Sequence, residues 1–409
     1  DDNYQPMLDL ALARIRQLSA HEIGHTLGFA HSYASSTNNR ASVMDYPHPQ
    51  FSVKDSEIDF SNAYATGIGE WDKVTVAYSY KEFPKGTSEK EGLNAILNEA
   101  KEKGLRFITD QDARPAGSSH ILAHLWDNGT NVSEELDNVL DVRKTAMDNF
   151  SIDNIRSGEP NTVLEDVFVP LYFFHRYQTE AVAKIIGGLE YNYTVKGDGQ
   201  KTVEIANGAL QKQALIALLK TLNASVIAIP KEKLSLFPPR AFGYPKTRES
   251  LRGKTGVSFD PISAAETAAD MTLAFLLHPD RASRLINQRA LDPDNLGLEE
   301  LLDQIIVNTL GRVHKDRYLF EVQNSINFRV LYHLMNLASN ENVHPGVNAL
   351  ANHKLTSINE SNFGNALDQI DAMEMLRRIR NFYEHPDKFK VIPAPKIPDG
   401  SPIGMDCFH

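Results

Sequence analysis

The chain has 409 residues, long enough to bury a large core in two or three domains. Its 42% hydrophobic and 23% charged content fits a folded globular protein rather than a disordered or fibrous one. A net charge of -11 argues against a nucleic-acid partner, no apolar run approaches the roughly 20 residues of a transmembrane helix, and the single Cys407 excludes both a disulfide framework and thiolate–zinc chemistry.

The first predicted element is a helix. Pro6 sits near its first turn, where a missing N–H costs nothing, and Leu8, Leu12, Ile15 and Leu18 recur at helical spacing. This helix leads directly into residues 21–31, HEIGHTLGFAH. Residues four apart share a helix face, so His21 and His25 can present ring nitrogens to one point. Gly28 permits a backbone turn that a side chain would hinder, and His31 can then swing back as a third ligand. Three protein ligands leave a fourth zinc position for water, the mark of a catalytic rather than a structural site. Glu22, offset around the helix from His21, can take a proton from that water without being a ligand itself. A five-residue H-E-x-x-H alone occurs by chance; Gly28 and His31 at fixed offsets, and the later string Ser42-Val43-Met44-Asp45-Tyr46-Pro47, make coincidence a poor account.

HEIGHTLGFAH followed by SVMDY resembles the metzincin clan of zinc endopeptidases over about residues 8–50. The resemblance implies that His21, His25 and His31 are zinc ligands, that Glu22 is the general base, and that Met44 forms an apolar floor beneath the metal. It also implies that Tyr46 lies near the zinc, as a ligand of the resting ion or a hydrogen-bond donor to the developing oxyanion; an ordinary turn tyrosine accounts for Tyr46 as well. In metzincins a twisted sheet precedes the active-site helix, and one of its edge strands pairs with extended substrate. This chain opens at Asp1 with barely one helix ahead of His21, and the expectation is a fragment whose partner includes a missing N-terminal part of the same precursor. Farther on, LYFFHRYQTEAVAKIIGGLEYNY and SFDPISAAETAADMTLAFLLHPDRASRLI are similar to large bacterial secreted metalloproteases with a long helical region, which implies a secreted or cell-envelope, extracytoplasmic setting.

Residues 32–66, rich in Ser, Asn and Pro, read as loop, and residues 67–83 as a helix with Trp71, Val74 and Tyr78 on one face. A charged helix over 88–104 ends at Gly104 and precedes a short strand-like 105–108. His120 and His124, four apart, read as a pair on an ordinary helix face. Asp110, Asp112 and Asp127 could line a cleft or bind calcium, although they complete no calcium loop. Amphipathic helices follow at about 132–150, 161–188, 207–223, 262–277, 279–290, 297–310, 316–339 and 363–384. A hairpin is expected from 189–195 and 201–205, turning at Gly197-Asp198-Gly199. His175 reads as a packed core or interface residue rather than a ligand, Arg281 and Arg284 as a solvated helix-start cluster, and the proline-rich 391–404 as an extended tail. The Asn-x-Ser/Thr triplets at Asn128, Asn131, Asn192 and Asn223 read as chance. No fixed-period repeat, glycine-rich phosphate loop or Gly-x-Ser-x-Gly elbow is present.

The expected fold is mainly α. Residues 1–115 would be the lower half of a metzincin-like catalytic domain, 116–392 a helical domain with a small β-hairpin, and 393–409 a tail. The expected function is a zinc-dependent endopeptidase acting on peptide or protein substrates, with no nucleic-acid partner and no transmembrane segment in this chain. The alternative is a zinc-holding but non-proteolytic helical binding module, against which the intact Glu22 counts.

Overall fold

The computed structural model describes residues 4–360 and 369–398; it is mainly helical, with two small antiparallel strand pairs. Its contacts divide into two units. The first draws on Asp1–Thr145 and Leu189–Glu204, the second on Ala146–Gly188 and Ile205–Gly400. Among the described residues no single helix is long and apolar enough to cross a membrane.

The first unit contains α1 (Gln5–Thr26), α2 (Glu70–Tyr80), α3 (Glu89–Glu102), the single turn α4 (Asp110–Ala113) and α5 (Val132–Asn149). Helix α1 buries an unexpected face. Leu8, Leu12 and Ile15 do lie at helical spacing, yet all three are exposed, and the inward face is Arg14, Gln17, His21 and Gly24. Arg14 bonds Gln17 and lies 5.7 Å from the Trp126 ring, and Gln17 Nε2 donates to the Val43 carbonyl at 3.2 Å. These bonds from Arg14 and Gln17 offset part of the cost of burying a polar face.

Residues 32–66 contain a hairpin that the sequence does not announce, β1 (Ser52–Lys54) against β2 (Glu57–Asp59), in the register Ser52↔Asp59. The strands are three residues each, so the alternation around Val53 and Ile58 is too short to stand out, and their turn uses Asp55 and Ser56 at positive φ without the usual glycine. The predicted second hairpin is present as β3 (Leu189–Tyr191) and β4 (Val203–Ile205). Asp198 braces its connection by accepting from the Val195 and Gln200 amides at 2.8 and 2.9 Å.

His120 and His124 are not on a helix. Residues 114–131 form an irregular segment broken by Pro115, Gly117 and Gly129, and both histidines are buried in it. His120 Nε2 lies 2.7 Å from the Tyr191 carbonyl, and its Nδ1 accepts from the Leu122 amide at 3.2 Å, so it is a satisfied structural residue.

The second unit consists of α6 (Leu164–Tyr172), α7 (Arg176–Ile185), α8 (Gly208–Lys220), α9 (Ala224–Ile227), α10 (Pro261–Leu276), α11 (Pro279–Leu291), α12 (Leu298–Thr309), α13 (Arg317–Ala338), α14 (Pro345–Glu360) and α15 (Gln369–Glu384). The helix expected over 161–188 is thus two helices. Pro170 lies near the end of the first, and the chain bends at Phe173–His175 before restarting. The sequence reading missed α14, and residues 361–368, the start of its last helix, lie outside the described residues. Helix α10 is buried almost all round, which its run of small residues allows, and it packs chiefly against α13. Asp260 caps it by accepting from the Ser263 amide at 3.0 Å. Phe150, Phe168, Tyr172, Phe173 and Phe237 form an aromatic core beside its first turns, and His175 is fully buried.

Arg281 is not solvated. It is fully buried and donates through Nε to the Ile186 carbonyl at 3.1 Å, while Arg284 Nε reaches the Gly187 carbonyl at 2.8 Å. The two guanidiniums satisfy carbonyls of the left-handed turn at Gly187, a requirement set by the chain beyond α7 and invisible in the helix that carries them. The described part of the tail is bonded to the helices: Asn336 exchanges hydrogen bonds with Ile392, and Arg176 donates to the Pro398 carbonyl at 2.7 Å. Residues 399–409, with Cys407, lie outside the described residues.

One buried ion pair ties α10 to α13. Asp270 Oδ1 receives Arg329 Nε at 2.5 Å and His333 Nε2 at 2.8 Å, with Asp270 and Arg329 almost wholly buried. Removing one partner leaves a buried charge uncompensated, which costs far more than the intact pair contributes. Asp270→Ala is therefore expected to lower unfolding free energy by about 3–5 kcal/mol, measured by denaturant melts. A loss under 1 kcal/mol, no larger than that of an ordinary surface substitution or an exposed ion pair, would contradict this account.

Candidate metal centre

Helix α1 carries His21, Glu22 and His25, and it ends where the third histidine needs the chain to turn. Gly28 lies at φ +87, outside the range comfortable for a side chain. The Phe29 amide bonds back to the Gly24 carbonyl at 3.1 Å and the Gly28 amide to the His25 carbonyl at 2.9 Å, a Schellman ending that reverses the backbone within three residues. His31 is thereby returned toward the helix, and its Nε2 lies 3.2 Å from His25 Nε2. One ligand atom from each of His21, His25 and His31 falls within 4.8 Å of the others.

Each ring has its other nitrogen committed. His21 Nδ1 lies 2.7 Å from the Val43 carbonyl, His25 Nδ1 lies 2.9 Å from the Phe29 carbonyl, and His31 Nδ1 lies 2.9 Å from Asp110 Oδ2. A carbonyl oxygen and a carboxylate only accept, so Nδ1 carries the proton in all three rings and Nε2 keeps its lone pair. Buried His21 Nε2 has no hydrogen-bond partner. Burial pulls the His21 imidazole down to about 4, against the opposing hydrogen bond to Val43, which keeps the ring neutral near pH 7. Three imidazoles brought together with Nδ1 committed, one of them keeping an orphaned buried Nε2, are the donor set that zinc takes.

The turn holding Met44 is clamped from α2. Asp72 accepts from Ser42 Oγ at 2.5 Å, from the Val43 amide at 2.9 Å and from the Gly69 amide at 2.6 Å. The Val43 carbonyl thus held is the one that orients His21. Met44 is buried against α1 at Gly24, where an added Cβ would come within 2.2 Å of the Met44 sulfur; only glycine lets the helix sit so close to this turn. Tyr46 is fully buried, its ring stacked on His21 at a centroid distance of 5.1 Å, 4.8 Å from His31, and backed by Trp126 at 4.9 Å. All six residues singled out in the sequence, Glu22 included, therefore fall on α1 or on the two turns packed against it.

Four residues support the centre in roles that the sequence did not assign to them. Asp110, at the start of α4, binds His31 and also accepts from Tyr33 Oη at 3.1 Å and from Arg114. Burial pulls its carboxyl up, but the bonds from Arg114 and His31 outweigh that and hold it down at about 2, so it is ionised throughout the working range. Tyr33 is fully buried, which pushes its hydroxyl up and keeps it a neutral donor; Arg114 Nη2 in turn donates to its oxygen at 2.8 Å. Asp72 is the fourth. Asp112 and Asp127 have other employment, Asp112 accepting from Tyr191 and Tyr193 and Asp127 from Ser36 Oγ, and among the described residues the group able to hold a metal is the histidine trio. Behind the Met44 turn, part of the loop from Ser32 to Asp59 walls a cavity of about 280 Å³ with Gln17, Asp45 and Asp127 among its lining residues.

The family model DUF4953, described as Met-zincin, matches residues 3–316. The chain belongs to the Met-zincin family. It is accordingly a metallopeptidase of the zinc-dependent kind, and the three-histidine centre of this Met-zincin fits that cofactor. Comparisons with curated proteins and with solved structures return no match.

Proposed function

We propose that this Met-zincin is an endopeptidase, cutting internal peptide bonds with a water activated at the His21–His25–His31 centre. The observation that carries the reading is the committed Nδ1 of all three rings, which leaves Nε2 as the ligand nitrogen of each in a group whose ligand atoms lie within 4.8 Å of one another. Zinc held there would supply Lewis acidity, lowering the pKa of a bound water and polarising the scissile carbonyl. Glu22, next to His21 on the same helix, takes the water's proton as it attacks and delivers it to the leaving amine. Asp110 and Val43 keep His31 and His21 oriented and in the Nδ1–H tautomer while this happens. Tyr46, packed between His21 and Trp126, is placed to support the centre from its side, and we assign its hydroxyl to the developing oxyanion. The cavity behind the Met44 turn we assign to a substrate side chain.

A secreted or cell-envelope setting rests on the sequence resemblance alone. The test of the activity is digestion of a broad peptide library before and after a chelator, followed by zinc. Internal cleavage that stops with the chelator and returns with zinc is expected. Zinc bound stoichiometrically with no product from any peptide would instead favour the binding-module reading, and chelator-insensitive cleavage would remove the centre from the reaction.

A further inference from the structure

In the second unit the chain has neither helix nor strand between Leu236 and Pro261. Structureless stretches longer than about 12–15 residues are uncommon in folded domains and are usually functional or disordered. This one is firmly held. Asp166 on α6 receives Arg240 through two bonds of 2.7 Å and Thr247 Oγ1 at 2.9 Å, and Arg240 also reaches Ser250 Oγ at 2.7 Å. Arg240 and Ser250 therefore meet over one carboxylate, closing residues 240–250 into an Ω-type loop. Buried Leu251 anchors its far side, with its amide on Glu165 Oε1 at 3.1 Å.

At the tip, the Tyr244 amide bonds the Ala241 carbonyl at 3.0 Å and Gly243 stands at φ +84. That is a turn whose third position demands glycine, and its second position presents Phe242, fully exposed. Tyr244 and, beyond the loop, Val257 are exposed as well. Around them the charge reverses the sign of the chain. Residues 240–257 carry five basic side chains against Glu249 alone, a local +4 in a protein of -11. Arg240 and Lys254 are engaged by Asp166 and Glu266. Lys246, Arg248 and Arg252 remain at the surface: Lys246 meets a carbonyl, Arg248 faces Glu249 at 3.4 Å, and Arg252 has no carboxylate partner among the described residues.

We propose that residues 240–257 dock on an anionic lipid bilayer, with Phe242 entering the boundary between headgroups and acyl chains and Lys246, Arg248 and Arg252 contacting the phosphates. A nucleic acid would take the cations but offers no hydrocarbon layer for the apolar tip to enter, and an apolar pocket on a protein would use the ring but leave the three cations without purpose. A negatively charged bilayer takes both, an apolar tip below the surface and basic side chains at it. This inference does not depend on the peptidase reading.

The test is co-sedimentation of the 409-residue chain with phosphatidylcholine vesicles and with mixed phosphatidylcholine–phosphatidylglycerol vesicles. Binding to the mixed vesicles alone is expected, weakening as salt rises. Phe242→Ser should cost tenfold or more in the partition coefficient, on the order of what burying a large apolar side chain contributes. Replacing Lys246, Arg248 and Arg252 singly by Gln should each cost about fivefold. Phe242 is fully exposed, so circular dichroism of the Ser variant should be unchanged. Equal binding to both vesicle types, no binding to either, or wild-type binding by Phe242→Ser would each overturn the proposal, as would a wild-type dimer that Phe242→Ser converts to monomer without any vesicle binding.

Discussion

Glu22→Ala is expected to reduce peptide hydrolysis by about 10²–10⁴-fold, the range over which a positioned general base acts, while leaving bound zinc at wild-type stoichiometry. Both halves of that result matter. Glu22 is half-buried on α1 beside His21, and the Nδ1 atoms of the three ligand rings are held by Val43, Phe29 and Asp110. Removing it takes away the proton acceptor and leaves the donor set intact. The loss should fall on kcat more than on KM, because the group acts in the transition state rather than in binding substrate. Product formation by the Ala variant at the wild-type rate, with metal confirmed in both proteins, would rule out the general-base assignment.

Asp110→Ala should weaken zinc binding by about 10–100-fold, the usual penalty for losing an outer partner of a ligating histidine. The carboxylate fixes His31 in the tautomer that frees Nε2, and it is itself held by Tyr33 and Arg114. Without it His31 can rotate or exchange tautomers, and buried Tyr33 loses the acceptor for its hydroxyl. Competition with a chromophoric chelator measures the effect. Asp112→Ala is the matched comparison, since Asp112 lies on the same short helix but its carboxylate accepts from Tyr191 and Tyr193 rather than from a ligand histidine. Equal zinc affinity in the two variants would mean that the contact with His31 contributes nothing specific.

The metal-binding half of the site is readable in the chain because its rules are local. His21, Glu22 and His25 share a helix whose turn length sets their spacing, and Gly28 ends that helix through a backbone conformation that few other residues tolerate. The mainly helical class is readable for the same reason, since apolar spacing marks α8, α10 to α13 and, through residues 369–384, α15. Where several demands fall on one segment the reading fails. Leu8, Leu12 and Ile15 have the spacing of a buried stripe, but periodicity reports only that apolar residues share a face, and here that face is exposed while Arg14 and Gln17 point inward. Arg281 looks solvated until the carbonyls of the Gly187 turn are placed beside it.

Spacing along a helix, the order of the histidines and the Met44 turn were thus written into the residues themselves, because a few bonds of backbone decide where those side chains point. The groups that make the trio a competent ligand set were not. Asp72 reaches Val43 across 29 residues and Asp110 reaches His31 across 79, with no fixed offset to betray them. Such contacts exist only after the chain has folded back on itself, since what pairs a carboxylate with a distant imidazole is the tertiary packing that brings both to one place rather than any property of the sequence between them.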